Sequence, residues 1–441
     1  MKFHRPPGEA FLIRRPRALT CLRRLSGVLM VMAAGVPVAI GQERLLPIRL
    51  GRFLFSPSLV VSNSWENNVE RVNEDQEPLG PIDSEVTAIR PILRFDFPYE
   101  KSFARLVYRG DFREYSAAAL SDLGGASHLL EFVGHFEAAR VFRLDVEEHY
   151  LNGITGLLNE APGGEFRYVT QPLETWETRL AMDFDLSPTH SLEIGGIRSD
   201  TTFEQSATSE FFQNLSTRSL FLRYVLDRGP ASEIYGSAEM QSVQQEGDLL
   251  FRPADYRVRS LGVGFRRATS KDLSSEAEVS YSATKFTEGS GTPFRGLTLD
   301  AQLVLSPAPG NVMQVRLRRA PLPSFFDVSP YYLNEAVEVE YMRPLGRAFG
   351  LQVLLGVRRN RYSDPVSGAG ILSPSKGERR EDFITGGTVS LGWHVNRAAA
   401  VSLAYRAVKS RSNIVAEGAD GPYDIYDNRS DGVVLTVTGG W

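Results

Sequence analysis

The last ten residues of the chain, Gly432 to Trp441 with the sequence GVVLTVTGGW, decide the fold. In an extended conformation, one face of this stretch carries the apolar side chains Val433, Leu435, Val437 and Trp441. The opposite face carries Val434, Thr436, Thr438 and Gly440. Alternation with a period of two residues predicts a β-strand with two unlike faces.

The same alternation recurs from Phe53 to the C-terminus, and the sequence shows no convincing helix over this length. Leucine, valine and phenylalanine alternate with charged or small residues in 130–137, 179–186, 297–305 and 349–358. Strands of this kind throughout a long chain predict an all-β fold.

The connections between these strands alternate between short and long. Short polar or Pro/Gly-containing turns are predicted at Pro98–Lys101, Ala138–Arg140, Ser187–His190, Asp227–Ala231, Ser270–Asp272, Pro307–Gly310, Pro344–Arg347 and Asn396–Ala398. Longer polar segments include Asn63–Asp83, Leu151–Tyr168, Ser363–Glu381 and Asn413–Ser430. Eight turns and nine loops give 18 strands, with 16 and 20 as the alternative counts, and strands of about 9–11 residues suffice to cross a membrane.

Short turns on one rim and long loops on the other are typical of outer-membrane barrels. The sequence therefore predicts a transmembrane antiparallel up-and-down β-barrel of about 18 strands. A soluble propeller or sandwich is the alternative, and the charge on one face of nearly every strand argues against it. Aromatic residues near predicted strand ends suit an interfacial girdle.

The N-terminus has the parts of a secretory signal peptide. A basic region with Arg23 and Arg24 precedes an apolar run from Leu25 to Ile40, and Ala39 and Gly41 provide a small-x-small cleavage site. We therefore expect residues 1–41 to be a cleaved signal peptide and residues 42–441 to form the barrel. Cleavage also removes Cys21, the single cysteine.

Composition excludes two classes of protein. Hydrophobic residues make up 42% of the chain, too few for a bundle of membrane helices. Without residues 1–41, 42 basic residues face 52 acidic ones, a net charge of −10. A chain of this charge lacks the concentrated basic surface that nucleic-acid binding requires.

The start of the predicted barrel resembles a known family. Phe55 to Asn63 reads FSPSLVVSN, and Trp65 to Val69 reads WENNV. These segments resemble the opening of the β-barrel porin 2 family of bacterial outer-membrane proteins. The resemblance implies a pore-type barrel associated with exopolysaccharide export components. Trp441, an aromatic residue ending the last strand, further predicts recognition by the barrel-assembly machinery.

If the apolar face contacts lipid and lipopolysaccharide, the polar face lines the lumen. The predicted pore-lining residues are Arg105, Arg109, Arg113, Arg143, Asp183, Asp185, Arg223, Glu276, Glu278, Arg316, Arg318, Glu338, Glu340 and Arg358. Arg105, Arg109 and Arg113 share one face of one strand, and we call them the basic ladder. Cross-strand ion pairs that keep the wall hydrated are the simpler interpretation of most of these residues.

The function predicted is a porin or channel for passage or export of a polar solute. The alternative is a non-conducting scaffold or adhesin that acts through its long loops. A hydrolase site at the rim is a third class, and His149 is its one candidate residue. The turn at Ala138–Arg140 would place His149 beside Leu129 and His135 beside Arg143, and neither neighbour is a metal ligand.

The first long loop is acidic, with Glu66, Glu70, Glu74, Asp75, Glu77 and Asp83. Its spacing matches no defined calcium loop. No cofactor, metal ion or catalytic residue is predicted.

Overall fold

The alternating segments form long strands in a computed structural model of the chain. The structure describes residues 47–440 except 68–81, 140, 155–171, 205–212, 228, 230, 247–253, 271, 289–290, 326–328, 367–374, 397, 419–420 and 424–426. The strands are β1 (Ile48–Leu50), β2 (Phe53–Glu66), β3 (Ser84–Tyr99), β4 (Ser102–Tyr115), β5 (Gly125–Ala139), β6 (Phe142–Ile154), β7 (Pro172–Ser187), β8 (His190–Phe203), β9 (Asn214–Asp227), β10 (Ser232–Glu246), β11 (Tyr256–Ser270), β12 (Leu273–Phe286), β13 (Arg295–Ala308), β14 (Asn311–Pro323), β15 (Tyr331–Leu345), β16 (Phe349–Pro365), β17 (Arg379–His394), β18 (Ala399–Ser412), β19 (Ala416–Gly418), β20 (Gly421–Tyr423) and β21 (Asn428–Gly440).

Eighteen of these strands close into one ring. Each strand from β2 to β18 pairs antiparallel with the next, and β21 pairs with both β18 and β2. At this closure Leu435 lies opposite Leu403 on one side, and Val437 lies opposite Val61 on the other. The predicted 18-stranded antiparallel barrel is therefore confirmed.

The connections also alternate as predicted. The eight short turns join β3 to β4, β5 to β6 and every second pair after these up to β17 and β18, so they all lie at one rim. The first strand of the ring begins at that rim, and the last strand ends there. Gly310 and Gly346 adopt φ angles of +80° and +84° in two of these turns. Glycine reaches this left-handed region without steric cost, which explains its place there.

The strands are longer than the predicted 9–11 residues. The 18 strands of the ring range from 13 residues in β6 to 17 in β16. Backbone pairing depends little on which side chains a strand carries, so the ladder continues past the apolar stretch. At the loop end the outward positions become charged, as at Arg359 and Arg411.

A few short elements stand outside the ring of 18. The three-residue β1 folds back on the start of β2, and β19 pairs with β20 as a small hairpin. Contrary to the helix-free prediction, a 3-10 helix at Ala118–Leu123 follows β4. Within the described ranges, no helix is long and apolar enough to cross a membrane.

The two faces of the barrel differ sharply in polarity. Leu261 and Leu220 on one face are 71% and 64% exposed, whereas Glu193 on the other face is 0% exposed. Apolar side chains thus point away from the barrel and charged side chains point into it. This is the reverse of a soluble sandwich, whose apolar faces pack together inside.

Candidate functional site: the inner wall of the barrel

Contacts between non-neighbouring strands identify the polar face as the inner one. Arg223 of β9 places Nη2 3.5 Å from Oε2 of Glu278 on β12. Three strand positions separate these residues around the ring. Long side chains can meet across such a gap only on the concave side of a curved sheet, so this face lines the lumen.

A network of ion pairs covers the wall from β6 to β9. Arg179 Nη1 lies 2.9 Å from Glu147 Oε1, and its Nη2 lies 3.2 Å from Glu193 Oε1. Glu193 Oε2 in turn lies 3.4 Å from Arg223 Nη1. The carboxylate of Glu193 thus bridges two guanidinium groups, an arrangement that satisfies a buried charge from both sides.

The network continues to β12 around an aromatic ring. The ring of Tyr235 lies under Arg223, with 4.6 Å between the guanidinium carbon and the ring centroid. A Cβ atom at Gly264 would collide with this ring, so only glycine leaves room for it. Glu278 also accepts a hydrogen bond of 2.6 Å from the hydroxyl of Ser237.

Several predicted pore-lining residues belong to neighbouring pairs on the same wall. Arg143 Nη2 lies 2.9 Å from Asp185 Oδ1, and Asp183 lies opposite Arg143 in the strand register. Glu276 Oε1 lies 2.6 Å from Nη2 of Arg266, whose Nη1 contacts Glu233 at 2.9 Å. The charges predicted from β6 to β12 are therefore interlocked with one another rather than free.

The far wall, from β14 to β16, follows the same pattern. Arg316 lies opposite Glu338 in the register, and Glu338 Oε1 lies 3.1 Å from Arg358 Nη2. Glu340 accepts a 2.9 Å hydrogen bond from Gln352. Arg318 lies opposite Asp300, a carboxylate that the sequence prediction omitted.

Each arginine of the basic ladder on β4 contacts a neighbouring carboxylate. Arg105 contacts Asp96 at 2.7 Å, Arg109 contacts Glu131 at 2.8 Å, and Arg113 contacts Asp111 at 2.6 Å. The three arginine side chains are 30%, 39% and 12% exposed, respectively. Arg105 and Arg109 therefore still reach the solvent of the lumen, whereas Arg113 is held in the wall.

Two arginines of β3 extend this basic wall and were missed in the sequence. Arg90 contacts Asp111 at 3.1 Å, and Arg94 contacts Asp96 at 2.6 Å. Their spacing of four residues places them on one face of the strand together with Asp96. This spacing could have identified them as residues of the inner wall. With the basic ladder they give five arginines against the carboxylates Asp96, Asp111 and Glu131, so β3 and β4 form a locally positive wall.

The opposite wall contributes three carboxylates, each of which has an arginine in contact with it or directly opposite it. Nine strand positions separate β4 from β13 around the 18-strand ring, so these strands lie across the lumen from each other. Strands β12 and β13 contribute Glu276, Glu278 and Asp300 to the inner face.

The predicted neighbours of the two histidines were wrong. In the β5–β6 register His135 lies opposite Asp145, with 2.6 Å between Nδ1 and Oδ1, and His149 lies opposite Glu131. Strand β5 ends at Ala139 and β6 begins at Phe142, so the turn lies later in the chain than predicted, and with the register irregularity between Glu137 and Ala139 the pairing differs by two residues. Among the described residues, no group of three or more His, Cys, Asp or Glu could hold a metal ion.

One loop folds over the inner face at the loop-side mouth. Gln213 and Gln245 donate side-chain hydrogen bonds of 2.8 and 3.3 Å to the carbonyl of Ser324, and Gln245 donates another of 2.8 Å to Pro330. Phe325 packs with the buried side chains Leu173, Phe203, Leu215, Val243, Tyr256 and Val258. The β14–β15 connection is therefore anchored to the inner faces of β7–β11.

Three sequence predictions lie outside the described residues. They are the signal peptide, Trp441, and the acidic loop residues Glu70, Glu74, Asp75 and Glu77. Of that loop, Glu66 and Asp83 are described at its two ends.

No protein-family model matches the chain, and no curated protein matches it significantly. Solved structures of similar fold include OpdO of Pseudomonas aeruginosa, which is 11% identical over 88% of this chain and 98% of that one, with a TM-score of 0.44. OccAB3 of Acinetobacter baumannii is 10% identical over 88% and 99%, with a TM-score of 0.46. The alcaligin outer-membrane receptor FauA of Bordetella pertussis is 12% identical over 90% and 76%, with a TM-score of 0.41. Similarity at this level says nothing about the solute or the function of this chain.

Proposed function

We propose that this chain is an outer-membrane channel through which a polar solute passes or is exported. The observation that carries the proposal is the reversed polarity of a closed 18-stranded ring, with apolar side chains outside and interlocked charges inside. An apolar outer band fits lipid, and a barrel of 16–18 strands is wide enough to hold an aqueous channel.

An outer-membrane location requires that the chain is exported across the inner membrane and then assembled into the outer membrane. Residues 1–41 would direct the chain across the inner membrane and be removed, and the strand ending at Trp441 would be recognised by the assembly machinery. The turn rim, where the first and last strands end, would face the periplasm, and the loop rim would face outside.

A polar and partly charged solute fits the inner wall best. The locally positive wall of β3–β4 faces the acidic residues of β12–β13, so a solute with separated charges or many hydroxyl groups would find partners on both sides. The resemblance of the first barrel strand to the β-barrel porin 2 family supports an association with exopolysaccharide export. The anchored β14–β15 loop would narrow the outer mouth on one side.

Single-channel recording of the refolded protein in a planar bilayer tests the proposal. Stable open steps are the expected result. A barrel that inserts, shifts in mobility on heating and never conducts would contradict the channel and favour the alternative, a scaffold acting through its loops.

We expect the double variant R105Q/R109Q to shift the selectivity of the channel towards cations. Both side chains are partly exposed to the lumen. A unit charge at about 6 Å from an ion in water contributes about 0.7 kcal/mol, so each arginine removed should lower the permeability of an anion roughly threefold and raise that of a cation roughly threefold. Reversal potentials in a salt gradient near 0.1 M, where screening is weak, measure this shift.

R113Q is the matched control on the same strand. Its guanidinium is 12% exposed and already bound to Asp111, so its loss should change the reversal potential much less. An equal shift from R113Q, or none from the double variant, would show that the ions do not pass this wall.

A further inference from the structure

The outer face of the barrel carries a contiguous group of cations on one side, just above the apolar surface. Its members are Arg218 on β9, Arg257 and Arg259 on β11, Lys285 on β12 and Arg295 on β13, and we call them the basic arc. All five side chains are exposed and occupy outward positions. The arc lies towards the loop rim of these strands.

The strand register places these residues side by side. Arg257 lies directly opposite Lys285, and Ser242 of β10 separates Arg257 from Arg218. Arg259 and Arg295 both lie opposite Ala283. Directly opposite residues in a sheet have Cβ atoms about 5 Å apart, and like charges at that distance destabilise the pair. The arc therefore concentrates positive charge at some cost to the barrel itself.

Several other outward cations near this rim are neutralised within the protein. Arg319 and Arg361 contact Glu335 at 3.0 and 2.9 Å, and Arg359 contacts Glu381 at 2.7 Å. Arg198, which lies opposite Arg218, contacts Asp200 at 2.7 Å. In the part of the chain that the structure describes, no carboxylate lies within ion-pair distance of a basic-arc residue. The arc thus offers its charge to a partner outside the chain.

The surface below the arc defines what that partner is. Leu220, Leu261 and Leu297 each follow an arc residue by two positions on the same face and are 64%, 71% and 59% exposed. Two residues along a strand span about 7 Å. The cations therefore lie at the level of the lipid headgroups when the leucines below them contact acyl chains. The described outward positions of β2–β7 contain no lysine or arginine, so that side of the barrel lacks this combination.

We propose that the basic arc binds the phosphate groups of an anionic glycolipid of the outer leaflet, a phosphorylated lipid A headgroup. Guanidinium groups bind phosphate with two parallel hydrogen bonds, and the leucines below contact the acyl chains of the same molecule. The bound phosphates also relieve the repulsion between Arg257 and Lys285. The inference rests on the membrane location proposed above and is independent of conduction.

Lipid binding to the purified, refolded barrel tests this inference. Native mass spectrometry in detergent micelles would follow titration with bis-phosphorylated lipid A and with the same lipid after removal of both phosphates. We compare the wild type with the arc variant R257Q/R259Q/K285Q. A basic residue near an anionic headgroup strengthens binding about fivefold, so the arc variant should bind phosphorylated lipid A roughly 100-fold more weakly.

The matched control is R319Q/R359Q/R361Q, which removes the same charge from cations already paired with Glu335 and Glu381. It should retain wild-type binding within about threefold. Equal binding of the phosphorylated and dephosphorylated lipids, or an equal loss in both variants, overturns the proposal. So does a wild-type oligomer that dissociates in the arc variant without lipid, which would make the arc a contact between copies. This assay measures lipid binding and not conductance. A barrel that binds phosphorylated lipid A but does not conduct in a planar bilayer would therefore refute the proposed channel and leave the lipid site standing.

Discussion

Replacing Glu193 with alanine is expected to destabilise the barrel by about 3 kcal/mol, since removal of one partner from a buried ion pair leaves an uncompensated charge. The Glu193 side chain is 0% exposed and bridges Arg179 and Arg223. Each arginine keeps a second carboxylate, Glu147 or Glu278, which places the expected loss at the lower end of the range for buried pairs. Urea unfolding of the folded barrel in lipid vesicles measures the change.

Glu276→Ala is the control for this effect. Glu276 is 31% exposed and its partner Arg266 retains Glu233, so the loss should be about 1 kcal/mol or less. Glu193→Gln keeps the size of the side chain and should fall between the two. If Glu193→Ala proved as mild as Glu276→Ala, water in the lumen would be solvating the arginines, and the ion-pair network would contribute little to stability.

The fold could be predicted because the alternation of a strand and the residues of a turn each depend only on a short stretch of sequence. The alternation in 297–305 predicts a strand, and the turn at Pro307–Gly310 predicts where that strand ends and the next one begins. Counting such strands and turns along the chain gives the number of strands. The closing of the sheet into a ring needs no further sequence signal. If β2 and β21 did not pair with each other, the backbone N–H and C=O groups along both edges would have no hydrogen-bond partners. The extra length of the strands was missed because the membrane fixes only the apolar part of each strand.

The inner wall was predicted in composition and missed in its pairing. Strand β3 interrupts its alternation with Pro91 and carries apolar side chains on both faces, so Arg90 and Arg94 did not stand out. Between β5 and β6 the turn lies later in the chain than the predicted Ala138–Arg140, and this changed which residues oppose the histidines. The contacts of Ser324 and Phe325 with β8–β11 join residues about a hundred positions apart, and no local pattern contains that information.

Substituting Leu222 with arginine provides the sharpest test of which face contacts lipid. Leu222 lies in the middle of β9, 43% exposed, with Ile194 and Ala238 opposite it on the outward face. An arginine on the lipid face near the bilayer midplane costs about 2–4 kcal/mol, because its charge loses hydration without gaining a partner. Unfolding in vesicles, compared with the wild type, should show a loss of this size.

The inward position Gln302 supplies the comparison. It lies on β13 opposite Glu276 on one side and Arg316 on the other, so the attraction of an arginine there to the carboxylate offsets its repulsion from Arg316, and the solvent of the lumen hydrates it. Gln302→Arg should therefore change stability by less than about 1 kcal/mol, as expected for lumen substitutions and exposed charge pairs. If Gln302→Arg were the more damaging of the two, the polar face would be packed rather than hydrated, and a water-filled channel could not run through the barrel.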